Sequence, residues 1–252
     1  MIEYETRGNV AIITIDRPEA RNAVNGEVAE GIEAAIDRME ADDSIWIGIL
    51  THTGPVFCAG ADLKAINSGE AARLNTRGGG FGGIVSKQRT KPIIAACNGP
   101  AYAGGCEIVL ACDLLVASTE AKFGVPEVKR NLVAAAGALF RLPDALPKNV
   151  AMELLLTGDP IDADRAYSLG FVNRLAEPGA AVEVALDLAA QISENAPLAV
   201  RKSREVALQR FSSDDEAFAA SEKAIAEVMA SEDTKEGLAA FIEKRKPNWQ
   251  GR

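Results

Sequence analysis

Glu107 and Glu127 stand twenty residues apart, each beside glycines and in otherwise apolar surroundings. Their segments read Ala103-Gly-Gly-Cys-Glu-Ile-Val-Leu-Ala-Cys-Asp113 and Phe123-Gly-Val-Pro-Glu-Val128. A carboxylate among Ile, Val, Leu and Ala is costly to bury unless its charge is satisfied or used. Two carboxylates that converge on one pocket raise each other's proton affinity and can divide acid and base work between them. Each also has a purely structural explanation. Glu107 could be a helix-start carboxylate met by main-chain N–H groups, and Glu127 an exposed turn residue after Pro126.

Two glycine-containing turns offer the complementary electrophilic groups. Phe57-Cys-Ala-Gly-Ala-Asp-Leu-Lys64 follows a strand and a Gly54-Pro55 turn and opens a helical pattern, and Gly104-Gly105 precedes the helix-like run through Ala111. Free N–H groups at a helix start point towards negative charge. Two such donors aimed at one carbonyl oxygen would make an oxyanion hole. Read separately, each is simply a tight strand-to-helix turn. Gly78-Gly-Gly-Phe-Gly-Gly83 contains GxGxxG, but it follows a polar, helix-like stretch and lacks the βαβ context of a dinucleotide site. A mobile loop is expected there, with a lid over a pocket as the second reading.

The elements that must position these groups alternate. Asn9–Asp16 is a strand rich in branched residues, ended by Arg17-Pro18. Val24 to Asp42 carries Val28, Ile32, Ala35, Ile36 and Met39 at helical spacing. Strands are expected at Ile45–Leu50, Pro92–Cys97 and Asp113–Ala117, each followed by a glycine-containing turn and a helical pattern. This alternation predicts an α/β fold with largely parallel pairing. From about Pro178 only helices are expected: Ala181–Ser193, Leu198–Phe211, Asp214–Ala230 and Thr234–Lys244. The chain therefore divides into an α/β core over 1–195 and a helical assembly region over 196–252, with Ser212-Ser-Asp-Asp215 as an N-cap cluster.

With 252 residues, 48% of them hydrophobic, the chain can bury a large core, and its net charge of −9 without any Lys/Arg-rich run argues against nucleic acid. The acidic, polar N-terminal residues do not resemble a signal peptide, and no apolar run approaches a membrane span. Cys58, Cys97, Cys106 and Cys112 lack CxxC spacing and read as buried free thiols of a reducing cytosol. The single histidine, His52, cannot make a multi-histidine metal site and reads as a strand-end residue, which weakens a Ser-His-Asp hydrolase.

Together these segments resemble the enoyl-CoA hydratase/isomerase (crotonase) superfamily over nearly the whole chain. The marks are Arg17-Pro-Glu-Ala-Arg-Asn-Ala23, Phe57 to Lys64, Asn98-Gly-Pro-Ala-Tyr-Ala-Gly-Gly-Cys-Glu107, Phe123-Gly-Val-Pro-Glu127, Leu156-Thr-Gly-Asp-Pro160 and Ala240-Phe-Ile-Glu-Lys-Arg-Lys246. The resemblance implies a spiral of β-β-α units, a C-terminal helical region, and trimers or dimers of trimers. It assigns the N–H groups of Ala61 and Gly104 to an oxyanion hole for a thioester carbonyl, and Glu107 and Glu127 to acid/base positions. It further assigns Arg21, Ala59, Asp62, Lys64 and Lys244 to coenzyme A, which is part of the substrate. No metal or redox cofactor is implied.

The chain departs from the family after the second glutamate. Asn131-Leu-Val-Ala-Ala-Ala-Gly-Ala-Leu-Phe140 puts Ala134 where a proline is common, and Asn131, Ala135 and Ala138 where glycines are. Asn131 tolerates positive φ, whereas alanine does so less well, so an altered local backbone and a narrower acyl site are expected. Arg141-Leu-Pro-Asp-Ala-Leu-Pro147 and Pro247-Asn-Trp-Gln-Gly-Arg252 resemble the carnitinyl-CoA dehydratase branch. The resemblance thus implies hydration or dehydration of an acyl-CoA. The alternatives are double-bond isomerisation and non-catalytic acyl-CoA binding.

Overall fold

The longest apolar runs form a sheet covered on both faces. In the computed structural model, which describes residues 1–209, 211 and 213–252, β1 (Ile2–Arg7) turns back antiparallel onto β2 (Val10–Ile15). Next come α1 (Gly26–Ala41), β3 (Ile47–His52), α2 (Leu63–Asn67), β4 (Asn75–Thr76), β5 (Gly80–Phe81), β6 (Ile93–Cys97), β7 (Ala101–Tyr102) and α3 (Gly104–Ala111). They are followed by β8 (Leu114–Ser118), β9 (Lys122–Gly124), α4 (Ala138–Ala145), α5 (Lys148–Thr157), β10 (Ile161–Asp162), α6 (Ala163–Ser168) and β11 (Arg174–Ala176). The chain closes with α7 (Ala181–Ser193), α8 (Pro197–Ala207), α9 (Asp214–Met229) and α10 (Glu232–Glu243).

The main sheet runs β1-β2-β3-β6-β8-β11, parallel from β2 onward. Alternate residues serve its two sides. Ile13, Ile15, Leu50 and Ala95 join the core beneath α1, whereas Ile12, Ile49, Ile94 and Val116 pack against Ala181, Ala185 and Ala189 of α7. Double coverage is why these strands read as unbroken apolar runs. The edge strand β1 carries Glu3 and Glu5 outward, a polar pattern that gave no strong strand signal but protects an edge.

Caps define the helices. The Asn25 side chain accepts from Val28 N–H to start α1, and the buried Lys91 ammonium closes it by donating to the carbonyls of Met39 (2.6 Å) and Asp42 (2.7 Å). Ser213 and Ser231 cap α9 and α10. The helix expected to reach Phe211 ends at Ala207, and Ser212 lies outside the described residues. On α8, Arg204 is tied to Asp113 (2.8 Å) and to the Arg89 carbonyl (2.7 Å).

The glycine-rich segment differs from the mobile loop expected of it. Gly79, Phe81, Gly82 and Gly83 are buried in a hairpin made by β4 and β5. Its glycines lie close against Ala29 and Glu33 of α1 and Ile108 of α3, where a side chain would not fit. Among the described residues no helix is long and apolar enough to cross a membrane.

Candidate active site

Four segments distant in sequence are laced together by main-chain hydrogen bonds. Ala59 N–H donates to the Arg21 carbonyl (3.1 Å), Val24 N–H to Gly60 (2.8 Å) and Asp62 N–H to Val24 (2.8 Å). Tyr102 N–H donates to Cys58 (3.0 Å), and Ala103 N–H to Gly124 (2.9 Å). The last of these extends the parallel pairing of β7 with β9, in which Tyr102 lies opposite Gly124. Glu107 follows the first strand and Glu127 the second, so this pairing closes the twenty-residue gap between them.

The two turns meet in the same place. An ideal Cβ on Gly60 would stand 3.2 Å from the Gly104 nitrogen. Val24 bonds the residues on either side of Ala61, which turns the Ala61 N–H to the opposite side of the strand. Neither that N–H nor the Gly104 N–H donates to a main-chain carbonyl among the described residues. Ala103 holds φ 51°, ψ −129° immediately before α3, a conformation that costs about 1–3 kcal/mol and recurs at functional sites.

Glu107 is buried on the first turn of α3, and its Oε1 accepts from the Ala138 N–H at 3.1 Å. Burial pushes its carboxyl up to about 7 against the stabilising Ala138 N–H, and the nearby Glu127 charge raises it further. The Ala136 N–H and the Arg141 guanidinium act in the other direction. Glu127 lies in the 3-10 turn Pro126–Arg130, closed by Asn131 at φ 56°. Burial raises its carboxyl too, opposed by its own N–H and by Arg130. Its Oε2 is buried and has no hydrogen-bond partner among the described residues. A buried polar atom of that kind needs a structural or functional explanation.

The alanine-rich loop keeps unstrained alanines. Positive φ falls on Asn131 and Gly137, not on Ala134, Ala135 or Ala138. Ala134 and Ala138 are packed in the core. The loop's distinctive feature is that its amides reach Glu107.

The other residues expected to bind a cofactor-like ligand divide. Arg21 and Lys64 are exposed near the lacing, and Ala59 is half-buried within it. Asp62 is buried, caps α2 by accepting from Lys64 N–H (2.8 Å), and pairs with Arg17 at 2.7 Å, so both oxygens already have partners. Lys244 caps the C-terminus of α10, which packs on α9 and is not part of the lacing. Sequence reasoning missed Asn22. This fully buried side chain accepts from Arg17 N–H and donates to the carbonyls of Thr53 (2.9 Å) and Val56 (2.7 Å). Its place after Arg21 in the early motif was the only signal.

His52 ends β3, and its Nε2 accepts from the Asn98 N–H (3.0 Å). Burial lowers its proton affinity, and the role is structural. The four cysteines are free, with Cys58, Cys97 and Cys106 buried and Cys112 half-buried. Among the described residues no group of three or more His, Cys, Asp or Glu could hold a metal ion.

The core is an α/β fold built on a mainly parallel sheet, with Glu107 and Glu127 following the paired strands β7 and β9. The sequence matches the enoyl-CoA hydratase/isomerase family model over residues 5–252, and the chain belongs to that family. It is 41% identical to the enoyl-CoA hydratase EchA19 of Mycobacterium tuberculosis over 98% of this chain and 96% of that protein. It is 38% identical to the carnitinyl-CoA dehydratase of Proteus mirabilis over 100% of this chain and 98% of that one. The crystal structure of an enoyl-CoA hydratase from M. tuberculosis H37Rv superposes with a TM-score of 0.96 at 47% identity, covering 100% and 99% of the two chains.

Proposed function

We propose that this protein adds water to, and removes it from, an acyl-CoA thioester, using Glu107 and Glu127 as a base–acid pair. What supports the reading is that Glu107 and Glu127, each a carboxyl with raised proton affinity, follow two strands that pair side by side. Ionised Glu107 takes a proton from water as the oxygen attacks Cβ of the conjugated thioester. The electron pair of the double bond moves onto the carbonyl oxygen, which the Ala61 and Gly104 N–H groups receive. Protonated Glu127 then gives its proton to Cα, and dehydration runs the same steps backwards. A donor of that kind contributes about 2.7–4 kcal/mol to the transition state. The step balances with water and thioester alone, so we assign no metal or redox cofactor.

We assign Arg21, Ala59 and Lys64, of which the two cations are exposed, to the coenzyme A portion of the substrate. Asp62 acts by holding the α2 turn and Arg17, and we assign Lys244 to the coenzyme A of a neighbouring protomer. Phe218, Phe241 and Ile242 are 69%, 85% and 78% exposed on α9 and α10. Apolar exposure on that scale marks an interaction surface, and we assign residues 196–252 to assembly of a trimer or a dimer of trimers. Free buried thiols fit a reducing compartment, and we place the protein in the cytosol.

Purified protein mixed with crotonyl-CoA, branched enoyl-CoAs and crotonobetainyl-CoA tests the reading. Loss of conjugated-thioester absorbance is the expected result. Binding without turnover across the panel would leave only an acyl-CoA carrier, and a shifted double bond without water uptake would make it an isomerase.

A further inference from the structure

Arg141 is a half-buried cation whose guanidinium makes its hydrogen bonds with carbonyl oxygens rather than with a carboxylate among the described residues. Nη2 donates to Val85, just past the glycine-rich hairpin, at 2.6 Å, and Nη1 to Ala136 at 3.5 Å. The side chain folds back over Gly137, where any Cβ would strike the guanidinium. The Phe140 ring lies 5.0 Å from its carbon. One side chain therefore joins the hairpin to the loop that supplies the Ala138 N–H to Glu107.

We propose that Arg141 is a positioning residue for Glu107: it clamps the 131–138 loop so that the loop's amides meet the carboxylate. This rests on Glu107 being the base. Burial opposes the charge that Arg141 carries, so the cation stands there at a desolvation cost. The charged and titratable groups around Glu107 are Glu127 from the 3-10 turn, Cys106 from α3 and Arg141 from α4. Behind Arg141 stand Arg89 and Cys112. Among the described residues, the Arg141 charge lowers the proton affinity of Glu107 and the Arg130 charge that of Glu127.

Arg141→Gln, Arg141→Met and Arg141→Lys test this in the full chain. The titration of the Glu107 side-chain carboxyl is followed by carbon-13 NMR and assigned by its absence in Glu107→Gln, and pH profiles of kcat/KM are recorded beside it. In the Gln and Met variants the midpoint and the acid limb are expected to move up by roughly one pH unit. Turnover at pH 7 then falls about fivefold with KM changed less than about twofold, and recovers near pH 9. The Lys variant, which keeps the charge, should stay close to wild type. If the Gln and Met variants keep the wild-type midpoint while Tm falls, Arg141 supports the fold without positioning Glu107 and the inference is wrong. The same holds if Lys shifts as far as Gln. Should Glu107→Gln retain full turnover, the role of Glu107 as base fails, yet the carboxyl titration still decides whether Arg141 acts on it.

Discussion

The Ala138 N–H lies 3.1 Å from Oε1 of Glu107, joining residues 31 positions apart inside the core. The bond lets a buried carboxylate ionise near neutral pH instead of staying protonated. Without such donors, burial alone would push the group higher still. Activity that needs ionised Glu107 should therefore rise with pH through about 7. A pH profile of kcat/KM checks this, and a limb near 4.5 would contradict it.

Glu107→Gln and Glu127→Gln should each lower kcat at least about tenfold. Stability should respond to the first in the opposite sense. The folded-state proton affinity of Glu107 is raised from 4.5 to about 7, so its favourable contribution is complete below about 4.5 and lost as pH rises through 7. At pH 8 the buried anion costs up to about 3 kcal/mol. Thermal unfolding should show Glu107→Gln more stable than wild type at pH 8, with the difference shrinking towards pH 5.

Asn22→Ala would strip the buried amide that pins Arg17 N–H and the carbonyls of Thr53 and Val56. Leaving those groups unpaired should cost about 2–4 kcal/mol. Denaturant unfolding measures it, and a loss below 1 kcal/mol would show that the loops hold without Asn22.

Gly104→Ala places a Cβ into the Phe81 ring, so the amide must move. A fall in kcat of about a hundredfold is expected, with about 1–3 kcal/mol of destabilisation. Pairing it with Phe81→Leu should cost less stability than the two single changes summed, because both act at one contact.

The proposed assembly through residues 196–252 predicts an oligomer on light scattering for the unaltered chain and a monomer for Phe241→Asp combined with Ile242→Asp. An intact oligomer would move the interface away from α10.

The sequence already contained the two glutamates, the two glycine turns and the strand–helix alternation, because these depend on residue type and local spacing. β2, β3, β6 and β8 fall close to their expected runs, since a strand buried on both faces must be apolar throughout. Tertiary structure alone decided that the glycine-rich stretch packs inside, against α1 and α3, and that the Asp62 oxygens are occupied by Arg17 and a helix cap. It also decided that the alanine loop serves Glu107 through main-chain N–H groups. Main-chain donors carry no residue signature, so which amide meets which carboxylate is settled only when β7 pairs with β9 and α4 docks against α3.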